Sequence, residues 1–181
     1  QAQQLADYRA GNLPGQTPPQ VLRSMATDVQ DIYDEFGYGI PGAEPIREFL
    51  EYTYTTWQGL PAPSYVVLMG DGHYDPKNYI NNRISYIPPF LAPVDPWIGE
   101  TSADNLYVTL SGEDNIPDMM LGRLPVNTAA EAAVMVNKII NYEQNPPPGN
   151  WQQQVLTVAD NADGAGDFAY YSESLHSCCL P

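Results

Sequence analysis

The chain has 181 residues, 43% of them hydrophobic, enough for a folded domain that buries roughly 70% of its unfolded surface. Its 22 Asp and Glu outnumber 7 Lys and Arg, and the net charge of −15 excludes nucleic acid and anionic membranes as natural partners. Divalent cations and basic peptides are the matching counter-charges, and plain solubility is the blander reading of such a surface.

Residues 1–10 have helical composition, and residues 11–19 (GNLPGQTPP) are a loop by every breaker signal. Residues 21–29 read equally as strand or helix. Residues 30–39 (QDIYDEFGYG) are acidic and aromatic and end in glycines, which predicts a turn region after a strand. Residues 43–57 predict a helix. Pro45 sits near its first turn, where a missing N–H costs little, and Ile46, Phe49, Leu50, Tyr54 and Trp57 make one apolar face. Residues 59–63 break the chain, and residues 65–69 predict a buried strand. Residues 76–102 carry Pro76, Pro88, Pro89, Pro93 and Pro96 and predict one long loop. The chain's 18 prolines and 13 tyrosines suit ordered loops, since a tyrosine packs its ring while its hydroxyl bonds to loop backbone.

Residues 105–110 (NLYVTL) alternate like a strand, residues 111–115 (SGEDN) turn, and residues 119–124 predict another strand. Thr128 and Glu131 form a T-x-x-E capping box for a helix that runs to residue 144 and stops at NPPPG, residues 145–149. Residues 155–159 predict a last strand, residues 160–167 (DNADGAGD) an acidic glycine-rich loop, and residues 168–175 the start of a helix. This order predicts an α/β fold with a mostly parallel sheet and flanking helices. The two apolar runs in VVLMGDGHYD (residues 66–75) and PDMMLGRLP (residues 117–125) stop at Gly-polar turns. Ligands of open α/β sheets gather at that carboxyl edge. No apolar run approaches the ~18 residues of a membrane span, and no signal peptide is visible. A start at Gln1 rather than Met reads as a processed product or a piece of a longer protein.

The residues that carry chemistry are few. His73 lies on the turn after a strand, where it reads as a hydrogen-bonded loop residue unless a partner is found. His176 and Cys179 would share a helix face, yet SLHSCCLP has the look of a frayed tail. Cys178 and Cys179 are adjacent, so no stabilising cross-link is expected and the redox compartment stays open. Asp71 and Asp75 flank His73, and Asp104, Asp114 and Asp118 surround the 105–118 region. Asp160, Asp163 and Asp167 share one loop and are the candidate calcium ligands, although Asp also favours turns for its own hydrogen bonds. Asp118 and Arg123 are a candidate ion pair. Gly70, Gly72 and Gly122 are expected at positive φ rather than against phosphate. There is no G-x-S-x-G and no zinc-ligand spacing, so chemistry alone declares no enzyme.

The chain carries GDGxYDP within residues 68–76, S-x-D-N-x-Y at 102–107, a G-x-D turn at 112–114, PDxxxGRLPV at 117–126 and K-I-I-x-Y-E at 138–143. In this order and spacing these motifs resemble the gingipain-type cysteine peptidases. DVQDIYDEFGYG, residues 28–39, resembles the segment that precedes these motifs, and the whole match spans residues 28–168. It implies a caspase-like α/β fold of two side-by-side subdomains, in exported bacterial proteins that cleave peptide bonds with a cysteine thiolate and a histidine. In that family the histidine sits in a G-H-G turn and the cysteine follows a later strand. This sequence has no G-H-G and ends before either position. The resemblance therefore implies an N-terminal helix and loop of no assigned role at 1–27, a first subdomain at 28–150, and the opening strand and helix of an incomplete catalytic subdomain at 151–181.

By the same resemblance, a supporting acid falls beside Ala162, which makes Asp163 the candidate, and His73 is structural. No cofactor is required, with calcium the one candidate ligand. The implied partners are the remaining catalytic subdomain or an oligomer partner, and peptide substrates. The implied location is outside a bacterial cell or on its surface. The chain alone is expected to be inactive. Two rival readings stay open: a non-enzymatic extracellular structural or assembly protein, and a calcium-binding interaction module.

Overall fold

A computed structural model of the chain describes residues 1–11, 23–57, 62–80, 84–97, 99–112 and 114–179. It divides into two units, Gln1–Asn145 and Pro146–Pro181. The first unit opens with helix α1 (Ala2–Gly11). The expected loop at 11–19 lies almost wholly outside the described residues, and residues 23–28 have no regular structure.

Residues 30–39 are not a turn region. Val29–Phe36 is helix α2. Asp28 caps it by accepting the Gln30 N–H at 2.9 Å. Val29, Ile32, Tyr33 and Phe36 fall at i, i+3, i+4 and i+7, so one stripe faces the core. The glycines end the helix rather than define a loop. Gly37 and Gly39 both donate to the Tyr33 carbonyl at 2.8 Å, with Gly39 in the left-handed region at φ 78°.

Helix α3 (Ala43–Thr56) packs on α2, with Ile46 and Leu50 buried and Phe36 meeting Phe49 edge to face at 5.7 Å. Strand β1 (Tyr65–Met69) follows. The expected 76–102 loop contains an antiparallel hairpin, β2 (Leu91–Asp95) and β3 (Gly99–Ser102). Its register slips between Ala92 and Asp95, around Pro93, which cannot donate to a ladder. Prolines at a ribbon edge look like loop punctuation in a sequence. The expected strand at 105–110 is replaced by a 3₁₀ turn, Asp104–Tyr107. There Leu106 donates to Ala103 and Val108 to Asn105, both at 3.1 Å.

Strand β4 (Met120–Leu124) pairs parallel with β1, from Tyr65 opposite Met120 to Met69 opposite Leu124. Helix α4 (Ala129–Gln144) follows. The T-x-x-E pair caps it, with the return bond one residue before the cap. Thr128 Oγ1 accepts the Glu131 N–H at 3.1 Å, and Glu131 Oε2 reaches back to the Asn127 N–H at 2.7 Å. One face of β1 and β4 presents Val66, Leu68 and Leu121 to a core shared with Ile32, Ile46, Leu50, Tyr107 and Val108. The other face leaves Tyr65, Val67 and Met120 more than half exposed, so β1 is buried on one side only.

The second unit holds a 3₁₀ turn (Trp151–Gln153) and helix α5 (Phe168–Cys179). Residues 155–159 form no strand there. Val155, Leu156 and Val158 are exposed, and no strand within this unit offers them a ladder among the described residues. No helix of the described residues is long and apolar enough to cross a membrane.

Candidate functional site

Because β1 and β4 run parallel and in register, both end at one edge of the sheet. The ladder continues past the strands, with Gly70 N–H donating to Leu124 O and Asp71 N–H to Val126 O, each at 3.0 Å. The Asp71 carboxylate then ties the two exits together. Oδ2 accepts Asn127 Nδ2 at 3.1 Å, and Oδ1 accepts the Gly72 N–H at 2.9 Å.

A strap, residues 84–90, lies over the turn that follows β1. Tyr86 and Ile87 donate backbone N–H groups to the Asp71 carbonyl at 2.9 and 3.2 Å, and Ser85 Oγ accepts the His73 N–H at 3.1 Å. Close approach explains Gly72. A Cβ there would stand 2.7 Å from the Ile87 carbonyl oxygen and 2.9 Å from Pro89 Cδ. Positive φ, expected for all three glycines of this edge, holds for Gly70 at φ 159° but for neither Gly72 nor Gly122.

His73 is a hydrogen-bonded turn residue. Its Nδ1 accepts the Asp75 N–H at 3.1 Å, so a neutral imidazole carries its proton on Nε2. Its ring lies 4.5 Å from that of Tyr74. Asp75 is buried, and its Oδ2 accepts the Ile80 N–H at 2.6 Å.

Arg123 joins these pieces from below. It lies on the core face of β4, two residues after Leu121. Nη1 donates to the carbonyls of Gly70 and Ile87, each at 2.9 Å. Nε and Nη2 grip Asp104 through both carboxylate oxygens, at 2.6 and 2.8 Å. Burial pulls the Arg123 pKa down, but Asp104 and Tyr107 outweigh it and hold the guanidinium more firmly charged than usual. The Tyr107 ring is fully buried, and its hydroxyl donates to the Pro88 carbonyl, which anchors the strap's far end. Burial drives the Tyr107 pKa well above the ordinary phenol value.

The expected Asp118–Arg123 pair is therefore wrong. Asp118 Oδ2 instead accepts the Leu110 and Ser111 N–H groups at 2.7 and 2.9 Å, closing the loop between the 3₁₀ turn and β4. The signal that would have found Asp104 is strand alternation. A charge two residues from Leu121 points into the core and needs a partner buried with it.

In the second unit, Asp160, Asp163 and Asp167 each serve nearby backbone. Asp160 accepts the Asn161 N–H, Asp163 the Ala165 N–H, and Asp167 the Tyr170 N–H at the start of α5. Asp163 and Gly166 also exchange backbone hydrogen bonds across a tight turn. No group of three or more His, Cys, Asp or Glu among the described residues is gathered to hold a metal ion. The side chains of His176, Cys178 and Cys179 lie outside the described part of the structure.

The profile of peptidase family C25 matches residues 1–179. The chain belongs to peptidase family C25. Among the solved structures that share the fold of this C25 chain is the Arg specific cysteine proteinase gingipain R, at 18% identity and a TM-score of 0.64, covering 97% of this chain and 34% of that one. Another is dimeric latent PorU from Porphyromonas gingivalis, at 24% identity and a TM-score of 0.58, covering 88% of this chain and 16% of that one. The C25 chain thus spans about a third of gingipain R and about a sixth of PorU. No curated protein sequence matches it. The parallel pair with flanking helices is the gingipain fold that the sequence motifs implied.

Proposed function

We propose that this chain is the scaffolding part of a C25 cysteine peptidase that hydrolyses peptide bonds. It supplies the carboxyl edge of β1 and β4 as one wall of a peptide groove. The thiolate nucleophile and its histidine base come from residues outside it. The observation that carries this reading is the state of His73. A general base for a thiol needs an imidazole nitrogen with a free lone pair. The only such nitrogen in the neutral tautomer here is Nδ1, and it already accepts the Asp75 N–H. Asp163 is proposed to support the histidine of the complete enzyme.

The proposal extends to partners and location. The rest of the catalytic fold, or a second copy in its place, covers the open face of Tyr65, Val67 and Met120, and the complete protein works outside a bacterial cell or on its surface. The test is a peptidase assay of this chain with broad peptide substrates and a thiol-directed peptidyl probe. We expect no turnover above buffer and no specific labelling. Turnover abolished by Cys178→Ser or Cys179→Ser would overturn the reading.

A further inference from the structure

The geometry points to Arg123 as a positioning residue, whose guanidinium sets the height of the 70–75 turn against the 84–90 strap and so fixes where His73 and Tyr74 stand at the sheet edge. The inference rests on reading that edge as a groove wall.

One side chain holds four segments. Its backbone belongs to β4, Nη1 holds Gly70 at the exit of β1, the same Nη1 holds Ile87 of the strap, and Nε with Nη2 holds Asp104 of the 3₁₀ turn. The carbonyls of Gly70 and Ile87 are brought to one nitrogen, so the spacing between turn and strap is fixed at the width of that fork. The contacts between the strap and the turn that carries His73 all depend on this spacing. The Asp71 carbonyl receives Tyr86 and Ile87, and the His73 N–H reaches Ser85. Gly72 leaves no slack, since a Cβ would already collide with Ile87 and Pro89.

Lysine does not substitute. It has three donors on a point charge and lacks the planar fork needed to meet a carboxylate bidentately and two carbonyls at once. Asparagine at 104 keeps the shape but withdraws the charge that partners the guanidinium. Arg123→Lys and Asp104→Asn are therefore the informative variants, and the second tests the idea if the first fails to fold. Neither residue is proposed to touch substrate.

The experiment is amide hydrogen exchange on the isolated chain, with ¹⁵N spectra of His73 as the second readout. In both variants the amides of His73, Tyr86 and Ile87 should exchange about tenfold faster or more, the scale of a lost hydrogen bond to a charged group. Amides inside α3 should keep their protection. The His73 Nδ1 signal should move away from that of a hydrogen-bond acceptor as the turn loosens. Uniform loss of protection across α3 and the strap would show a merely structural ion pair and overturn the inference. Unchanged exchange at the strap would overturn it equally. No peptidase activity enters the measurement, so a failure here leaves the groove reading standing, and a failed activity test leaves this result standing.

Discussion

The two tyrosines of the core have opposite circumstances. Tyr107 donates its hydroxyl to Pro88, whereas the Tyr33 hydroxyl is buried and finds no hydrogen-bond partner among the described residues. Burial pushes the Tyr33 pKa up to about 12, so it stays neutral and its cost is that of an unpaired polar group. Tyr33→Phe should therefore leave stability unchanged or raise it by about 1 kcal/mol. Tyr107→Phe should lower it by about 1–2 kcal/mol, because the Pro88 carbonyl loses its buried donor. Urea denaturation of both variants checks this, and a clear loss of stability in Tyr33→Phe would contradict it. A sequence shows thirteen tyrosines but not which hydroxyls are satisfied. The same holds for Arg123. Its charge was plain in the motif, but the choice of Asp104 over the nearer Asp118 is made by the 3₁₀ turn that carries Asp104 beneath β1 and β4.

Among the elements, α1 owes its place to α4. Arg9 meets Glu143 through Nη1 and Nη2, at 2.5 and 2.6 Å, and Gln4 bonds Asn137 at 3.2 Å. Hydrogen bonds from Arg9 outweigh burial and hold the Glu143 pKa below the usual carboxylate value. A carboxylate depressed in the folded state contributes stability that is full above its unfolded pKa and is lost as pH falls through the folded one. Docking of α1 should thus weaken below about pH 4.5, the unfolded value, and Glu143→Gln should remove that dependence. Amide exchange in α1 between pH 6 and pH 3, corrected for intrinsic rates, reads it directly, and an acid response that survives Glu143→Gln would refute the assignment.

A second test at this scale concerns the 160–167 loop. Its carboxylates cap separate backbone N–H groups, so calcium added over chelator should leave the melting temperature unmoved. A stabilising shift with calcium and not magnesium would establish the loop as a calcium site. The elements legible in the sequence were those whose signal is local: the apolar face of α3, the T-x-x-E box of α4, and the apolar runs of β1 and β4. Helix α2 was legible too, through Asp28 and the 29, 32, 33, 36 spacing, but its closing glycines pointed to a loop. The 105–110 and 155–159 segments misled because alternation and apolar content describe a strand's surface, whereas a strand exists only with a neighbour to complete its ladder.

For the whole molecule, the decisive feature is a sheet with one covered and one open face. Tyr65, Val67 and Met120 lie together on the open side, paired across the ladder or two residues apart. Val67 and Met120 are already part-buried, so covering each would contribute roughly half or more of the ~1.5–3 kcal/mol of a full burial, which favours a covering surface. Against self-association stands the net charge of −15, whose repulsion acts over a Debye length and fades as salt is added. The two terms have opposite salt dependence from those of a basic partner, whose attraction salt would weaken. We therefore expect the isolated chain to be monomeric at low salt and to associate as salt rises, with sedimentation velocity as the measurement. Val67→Glu and Met120→Glu place a charge on the open face without touching the core, and each should abolish the association while circular dichroism stays unchanged. A clean monomer at high concentration and high salt would mean that three exposed apolar side chains are too little to hold a second copy, leaving the face to a larger and differently charged partner.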